Sequence, residues 1–109
     1  MSKKVSDWDE AADDTFTYLQ LGNRAFQPSK MLAFLDDLIV RGTASQAELI
    51  QLHGSDNFIA TTLSNVTTAV HGGGAVPKDG GWYSANLDPL TYRVNEKFVS
   101  AWKKKRRLG

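Results

Sequence analysis

The amino-acid sequence predicts a mainly α-helical domain with a small β-hairpin, an α+β fold, on three observations. Apolar residues recur at helical spacing up to His71, and Gly72-Gly73-Gly74 then breaks the pattern. The segment that follows holds Trp, Tyr, Val and Thr between turn residues, which is β composition. The length of 109 residues, with three Trp, three Tyr and five Phe in a 41% hydrophobic composition, suits one packed core and leaves no room for a second domain.

From Trp8 to Leu19 the residues Trp8, Ala12, Phe16 and Leu19 fall on one helical face, although Thr15 to Leu21 also suits a strand. Gly22-Asn23 ends this element, and Pro28-Ser29 opens the next. Met31, Leu32, Phe34, Leu35, Leu38 and Ile39 give Lys30 to Arg41 a broad apolar face, with Asp36, Asp37 and Arg41 outside it, and Gly42 stops the helix. Ser45-Gln46-Ala47-Glu48 has capping-box spacing, in which serine and glutamate satisfy free N–H groups at a helix start. Leu49, Ile50 and Leu52 supply the buried side of that helix, and His53-Gly54 ends it. Ser55-Asp56-Asn57 then offers capping side chains to a helix through His71, whose core positions are Ile59, Leu63, Val66 and Val70.

The opposite face of this helix reads Thr61, Thr62, Ser64, Asn65, Thr67, Thr68 and His71, a row of uncharged hydrogen-bonding side chains. Ala75-Val76, a turn at Lys78-Asp79-Gly80-Gly81, Trp82-Tyr83-Ser84 and, past Asp88-Pro89, Leu90 to Val94 read as the hairpin. Asn95 caps a last helix through Phe98, Val99 and Trp102, which runs into lysines and arginines. Cations suit a helix C-terminus, and Asp7, Asp9, Glu10, Asp13 and Asp14 at the front suit a helix start.

The net charge of +1 hides an asymmetry. Lys97, Lys103, Lys104, Lys105, Arg106 and Arg107 are six of the thirteen cations, so residues 1–96 hold seven cations against all twelve acids. The absence of cysteine excludes a disulfide frame, a thiolate nucleophile and a cysteine zinc site. No apolar run approaches the ~20 residues of a membrane span. Asp7, Asp9 and Glu10 stand where a secretory leader would be apolar, so a cytoplasmic protein is expected. The sequon Asn65-Val66-Thr67 has meaning only in a secreted chain.

The order of elements resembles the winged helix-turn-helix family: three helices, the last two joined by a short capped turn, then a glycine stop, a hairpin and a closing helix. Glu48-Leu49 through Gly74-Ala75-Val76 is similar to that family's second and third helices and the entry to the wing. Thr91-Tyr92-Arg93-Val94-Asn95-Glu96-Lys97 is similar to its returning strand and final helix. The resemblance covers about residues 29–105, leaving 1–28 as an N-terminal extension and 103–109 as a basic C-terminal tail. It implies binding to double-stranded DNA, with the third helix in the major groove and the wing on the adjacent backbone.

On that resemblance Thr61, Thr62, Ser64, Asn65 and Thr68 are the expected groove contacts, and Lys78 and Arg93 the expected backbone contacts. Trp82 and Tyr83 read as core residues closing the hairpin over the helices. The extension is either a dimer arm, through Trp8, Phe16 and Leu19, or a helix packed on its own domain. The run Lys103-Lys104-Lys105-Arg106-Arg107 suits salt-dependent phosphate contact, its alternative being a solvated helix end.

Enzyme chemistry finds no constellation in this chain. His71-Gly72-Gly73-Gly74 matches an esterase oxyanion loop, but no Gly-x-Ser-x-Gly nucleophile elbow accompanies it. His53 and His71 match no metal spacing, and no Gly-Lys-Ser/Thr follows the glycines. No catalytic residue, metal or cofactor is expected. The expectation is a small DNA-binding protein, a homodimeric transcription regulator or a plasmid- or phage-type factor. The alternative is a protein–protein interaction module that docks a protein partner on its uncharged third-helix face.

Overall fold

Side-chain caps start most of the helices. In the computed structural model, which describes residues 4–21, 27–73 and 75–108, Asp7 Oδ1 accepts from the backbone N–H groups of Asp9 (3.0 Å) and Glu10 (3.2 Å) and opens α1, Trp8–Leu21. The alternative of a strand over Thr15 to Leu21 is not realised. Pro28 stands at the first position of α2, Pro28–Arg41, which Gly42 ends at φ 73°, a left-handed backbone that glycine adopts without strain. Ser45 Oγ accepts from Glu48 N and starts α3, Gln46–His53. The Glu48 carboxylate takes its hydrogen bond from the Ser45 hydroxyl (3.0 Å), so the box closes between side chains. Ser55 caps α4, Asp56–His71, and Asn95 caps α5, Glu96–Arg106. The predicted stops at Gly22-Asn23 and at Gly74 fall outside the described residues, while Gly72 takes the left-handed conformation that ends α4.

The β component is a three-stranded antiparallel sheet, one strand more than the predicted hairpin. Strands β1, Thr43–Ser45, β2, Tyr83–Leu87, and β3, Leu90–Val94, lie in the order β1-β3-β2. Thr43 pairs with Arg93 and Ser45 with Thr91 on one side of β3, and Tyr83 pairs with Val94 and Leu87 with Leu90 on the other. Ala75-Val76 is not a strand, because β1 and β2 fill both edges of β3 and Pro77 has no N–H to pair. The hairpin turn is Asp88-Pro89, and Lys78 sits in the separate turn before β2.

Alternation along β3 turns Tyr92 and Val94 to the core and Arg93 to solvent. The core joins Phe34, Leu35, Leu38 and Ile39 of α2 to Leu49, Ile59, Leu63, Val66, Trp82, Phe98 and Trp102. α1 belongs to the same body. Ala11, Ala12, Thr15 and Leu19 are its buried side, packed against α2, α4 and α5. Among the described residues every buried side-chain nitrogen and oxygen has a hydrogen-bond partner. No helix among them is long and apolar enough to cross a membrane.

Candidate nucleic-acid interface

α4 carries a buried stripe wider than its sequence suggests. Phe58, Ile59, Thr62, Leu63, Val66, Thr67, Val70 and His71 are all buried, because the helix has neighbours on two sides. What remains towards solvent is Asp56, Asn57, Ala60 and Ser64, which are exposed, and Thr61, Asn65, Thr68 and Ala69, which are half-buried. Steps of four, three and four from Asn57 place 57, 61, 64 and 68 on one face. Thr61, Ser64 and Thr68 therefore share one solvent-facing row with Asn57.

Thr62 does not, which corrects its expected role. It is fully buried, and its hydroxyl donates to the Phe58 carbonyl at 2.9 Å. Asn65 is half-buried, with Nδ2 3.7 Å from Met31 Sδ, so its amide is aimed at α2 and it does not stand in the exposed row. Asp56, Asn57 and Ala60 are exposed positions of α4 outside the expected contact set. The step of four from Asn57 to Thr61 was the available signal.

The hairpin is docked onto α4 by a chain of polar contacts. The Trp82 indole N–H donates to Thr67 Oγ1 (3.0 Å), and the Thr67 hydroxyl donates to the Leu63 carbonyl (2.8 Å). The Trp82 backbone N–H donates to Nε2 of the buried His71 (3.2 Å). Asn95 closes the other side, its backbone N–H donating to the Trp82 carbonyl and its Nδ2 to that of Gly81. Trp82 and His71 thus fix the angle between helix and hairpin. Between them lies a groove of about 410 Å³ lined by Ala60, Ser64, Thr67, Val76, Tyr83 and Tyr92. Burial holds the Tyr83 and Tyr92 phenols above the ordinary tyrosine range.

Lys78 and Arg93 line one shallow cleft of about 230 Å³ on the outer side of the sheet, with Ser84, Asn95 and Glu96. Arg93 lies between Thr43 and Ser84 in register, all three exposed. Neither cation has an ion pair among the described residues.

The basic C-terminal run is helical up to Arg106, and much of its charge is already engaged. Arg106 meets Asp36 of α2 in a two-point contact, Nε to Oδ1 at 3.2 Å and Nη2 to Oδ2 at 3.0 Å, while the Trp102 indole N–H donates to the same Oδ1 at 2.8 Å. Lys104 pairs with Asp9 at 2.8 Å and Lys105 with Asp13 at 3.0 Å. The hydrogen bond to Asp9, together with the charge of that carboxylate, holds the Lys104 ammonium above the ordinary lysine range. Lys105 and Arg106 also lie over the Phe16 ring, at 5.3 and 5.0 Å from its centroid. Lys103 and Arg107 form no ion pair among the described residues.

Of the two alternatives for the front segment, packing on the domain's own core is the one observed. Leu19 is fully buried, Trp8 lies 6.0 Å from the Phe98 ring, and Phe16 lies 6.4 Å from that of Trp102. Leu19 is therefore closed to a partner, while Trp8 and Phe16 are half-buried against α5.

His53 Nε2 donates to Asp37 Oδ2 at 2.7 Å, and Arg41 meets the same carboxylate at 3.1 Å. Burial pushes Asp37 up, but the hydrogen bonds from His53 and Arg41, with the charges behind them, outweigh it and leave this carboxyl below its ordinary value. This network joins α2 to α3. Among the described residues no three His, Asp or Glu side chains come together as a metal site. No family model, curated protein or solved structure matches this chain.

Proposed function

We propose that this chain is a small DNA-binding protein of winged helix-turn-helix architecture that presents α4 to a major groove and the β2–β3 hairpin to the adjoining backbone. The observation that carries the reading is the solvent row Asn57, Thr61, Ser64 and Thr68, set beside a hairpin whose angle Trp82 and His71 fix. Such side chains hydrogen-bond to base edges and phosphates, and the acid of α4, Asp56, is confined to its first turn. The α2, β1, α3, α4, β2, β3 order with sheet order β1-β3-β2 supports it. Lys78 and Arg93 add cations on the hairpin side. In this reading the protein is cytoplasmic and acts as a transcription regulator or a plasmid- or phage-type factor. A homodimer would place two copies of α4 on a near-palindromic site, with the buried Leu19 outside the contact.

A protein-docking role for the α4 face is the second reading. Its support is that α4 has no Lys or Arg and that Lys104, Lys105 and Arg106 are paired within the chain. Fluorescence anisotropy with a labelled random-sequence duplex, titrated with salt, separates the two. The DNA reading expects salt-steep binding that Ser64→Glu weakens by about tenfold, since a carboxylate in the row faces phosphates across a short distance. Absence of binding at low salt would overturn it, and equal binding by Ser64→Glu would show that DNA is not met through α4.

A further inference from the structure

We infer that the seam between α1 and α5 is a second surface for nucleic-acid phosphates, in which Asp9 and Asp13 occupy the lysines until a polyanion displaces them. The inference rests on the reading that the chain meets nucleic acid, and it adds a site and its regulation. The seam opens as a groove of about 700 Å³ between Asp7, Trp8 and Asp9 on one wall and Glu96, Lys97, Ser100 and Lys104 on the other, with Glu96 at the start of α5 and Lys104 near its end. Lys97 and Lys104, seven residues apart on α5, lie about 10 Å from each other along the helix axis. Lys103 and Arg107 follow at its end.

The three ion pairs of this region are of two kinds. Arg106–Asp36 has side chains 27% and 22% exposed, and the Trp102 indole shares the carboxylate, so it is part of the packing. Lys104–Asp9 is 71% and 58% exposed, and Lys105–Asp13 is 36% and 60% exposed. Pairs so open to water hold weakly and exchange readily. α1 is anchored by Ala11, Ala12, Thr15 and Leu19 on its other side, so the acids stay in place while the long lysine side chains swing. α1 contains four acids and no base, and α5 five bases and one acid. Asp9 and Asp13, one turn apart, thus stand where successive phosphates would otherwise sit. Exchange of a lysine from carboxylate to phosphate conserves the ion pair, and release of counterions from the nucleic acid drives it. The acids therefore set a threshold, so that isolated anions are excluded and a dense polyanion is accepted.

The test uses the full chain and a labelled random-sequence duplex, with folding checked by circular dichroism. Asp9→Asn/Asp13→Asn is expected to bind about fivefold tighter at low salt, from the loss of two weak competing pairs. Its plot of log K against log salt should steepen by about 0.9 for each lysine released. Glu10→Gln/Asp14→Asn removes the same charge from exposed positions without ion pairs among the described residues, and should change affinity by less than about twofold. Lys104→Gln/Lys105→Gln in the wild-type chain should weaken binding, and this arm decides the matter if the acid variant does not fold. Equal affinity of the acid variant and the wild type, or equal gains by the two acid variants, would overturn the inference. Failure of both wild type and acid variant to bind would overturn it together with the DNA reading. A gain in the acid variant with no effect of Ser64→Glu would sustain this surface and sink the α4 reading. Weakening by Ser64→Glu with no gain in the acid variant would do the reverse.

Discussion

Asp36 is the position at which one substitution should be felt farthest along the chain. Its carboxylate accepts from the Trp102 indole and from two nitrogens of Arg106, 66 and 70 residues away, and so fixes the end of α5 to the middle of α2. Asp36→Ala removes both acceptor oxygens, and with them all three hydrogen bonds, at once. Trp102 is fully buried, so its orphaned N–H costs about 1–3 kcal/mol. Breaking a fully buried ion pair costs about 3–5 kcal/mol, and at 27% and 22% exposure solvent screening reduces that to roughly 1 kcal/mol. The sum is about 3 kcal/mol, or a fall in Tm of roughly 15 °C for a domain of this size. Asp36→Asn keeps an oxygen for the indole and should cost only about 1 kcal/mol. Urea unfolding followed by circular dichroism measures each variant, and Trp102→Phe completes a cycle in which the coupling should be about 1–2 kcal/mol. A loss below about 0.5 kcal/mol in Asp36→Ala, or additive behaviour with Trp102→Phe, would refute the clamp.

Three further outcomes follow from the packing. His71→Phe leaves the buried Trp82 backbone N–H without its Nε2 acceptor and should cost about 1–3 kcal/mol by urea unfolding, with a shift in tryptophan fluorescence reporting the displaced hairpin. At Gly81 an added Cβ would fall against Val76 Cγ1 and the Pro77 carbonyl oxygen, so Gly81→Ala should lower stability by about 1–3 kcal/mol, and a neutral result would show the 75–81 segment free to move. Asp37 has a lowered pKa in the folded state. Its contribution to stability is therefore complete above the ordinary carboxyl value near 4 and is lost as pH falls through the lowered one. Asp37→Asn should be less stable than wild type near pH 6, and the two curves should converge near pH 2.

Every helix predicted from spacing is present, each with a local start signal. In α3, however, the expected buried side of Leu49, Ile50 and Leu52 is reduced to Leu49, with Ile50 and Leu52 exposed, because this short helix packs along one narrow line. Ser45, Ser55 and Asn95 cap as their positions suggested. β1 was not legible because three residues, Thr43-Ala44-Ser45, are too short to alternate; they become a strand only by pairing with β3, some fifty residues later. Ala75-Val76 has the composition of a strand and no edge of β3 left to pair with. In both cases partner availability decided, and composition alone does not contain it.

The same distinction governs the candidate site. Thr62 and Thr61 are adjacent residues of one type, yet Thr62 is buried and returns its hydroxyl to the Phe58 carbonyl, while Thr61 stands at the surface. A single apolar period places Ile59, Leu63, Val66 and Val70 inside. It does not reveal that a second neighbour covers the Thr62 side as well, so hydroxyl-bearing positions could be assigned to the wrong face. The basic end is misread for a related reason. A count of charges treats Lys104, Lys105 and Arg106 as equivalent and available, whereas folding brings Asp9, Asp13 and Asp36 to them from up to 95 residues away. Of these only Arg106 is held by a half-buried carboxylate that an indole also shares. The two lysines face exposed acids, and for them the sequence-level expectation of phosphate contact reduces to a competition between two anions, one covalently part of the chain and one brought by a partner. That competition depends on salt, which is why the salt slope, and not affinity at one condition, is the quantity that distinguishes a solvated helix end from a binding surface.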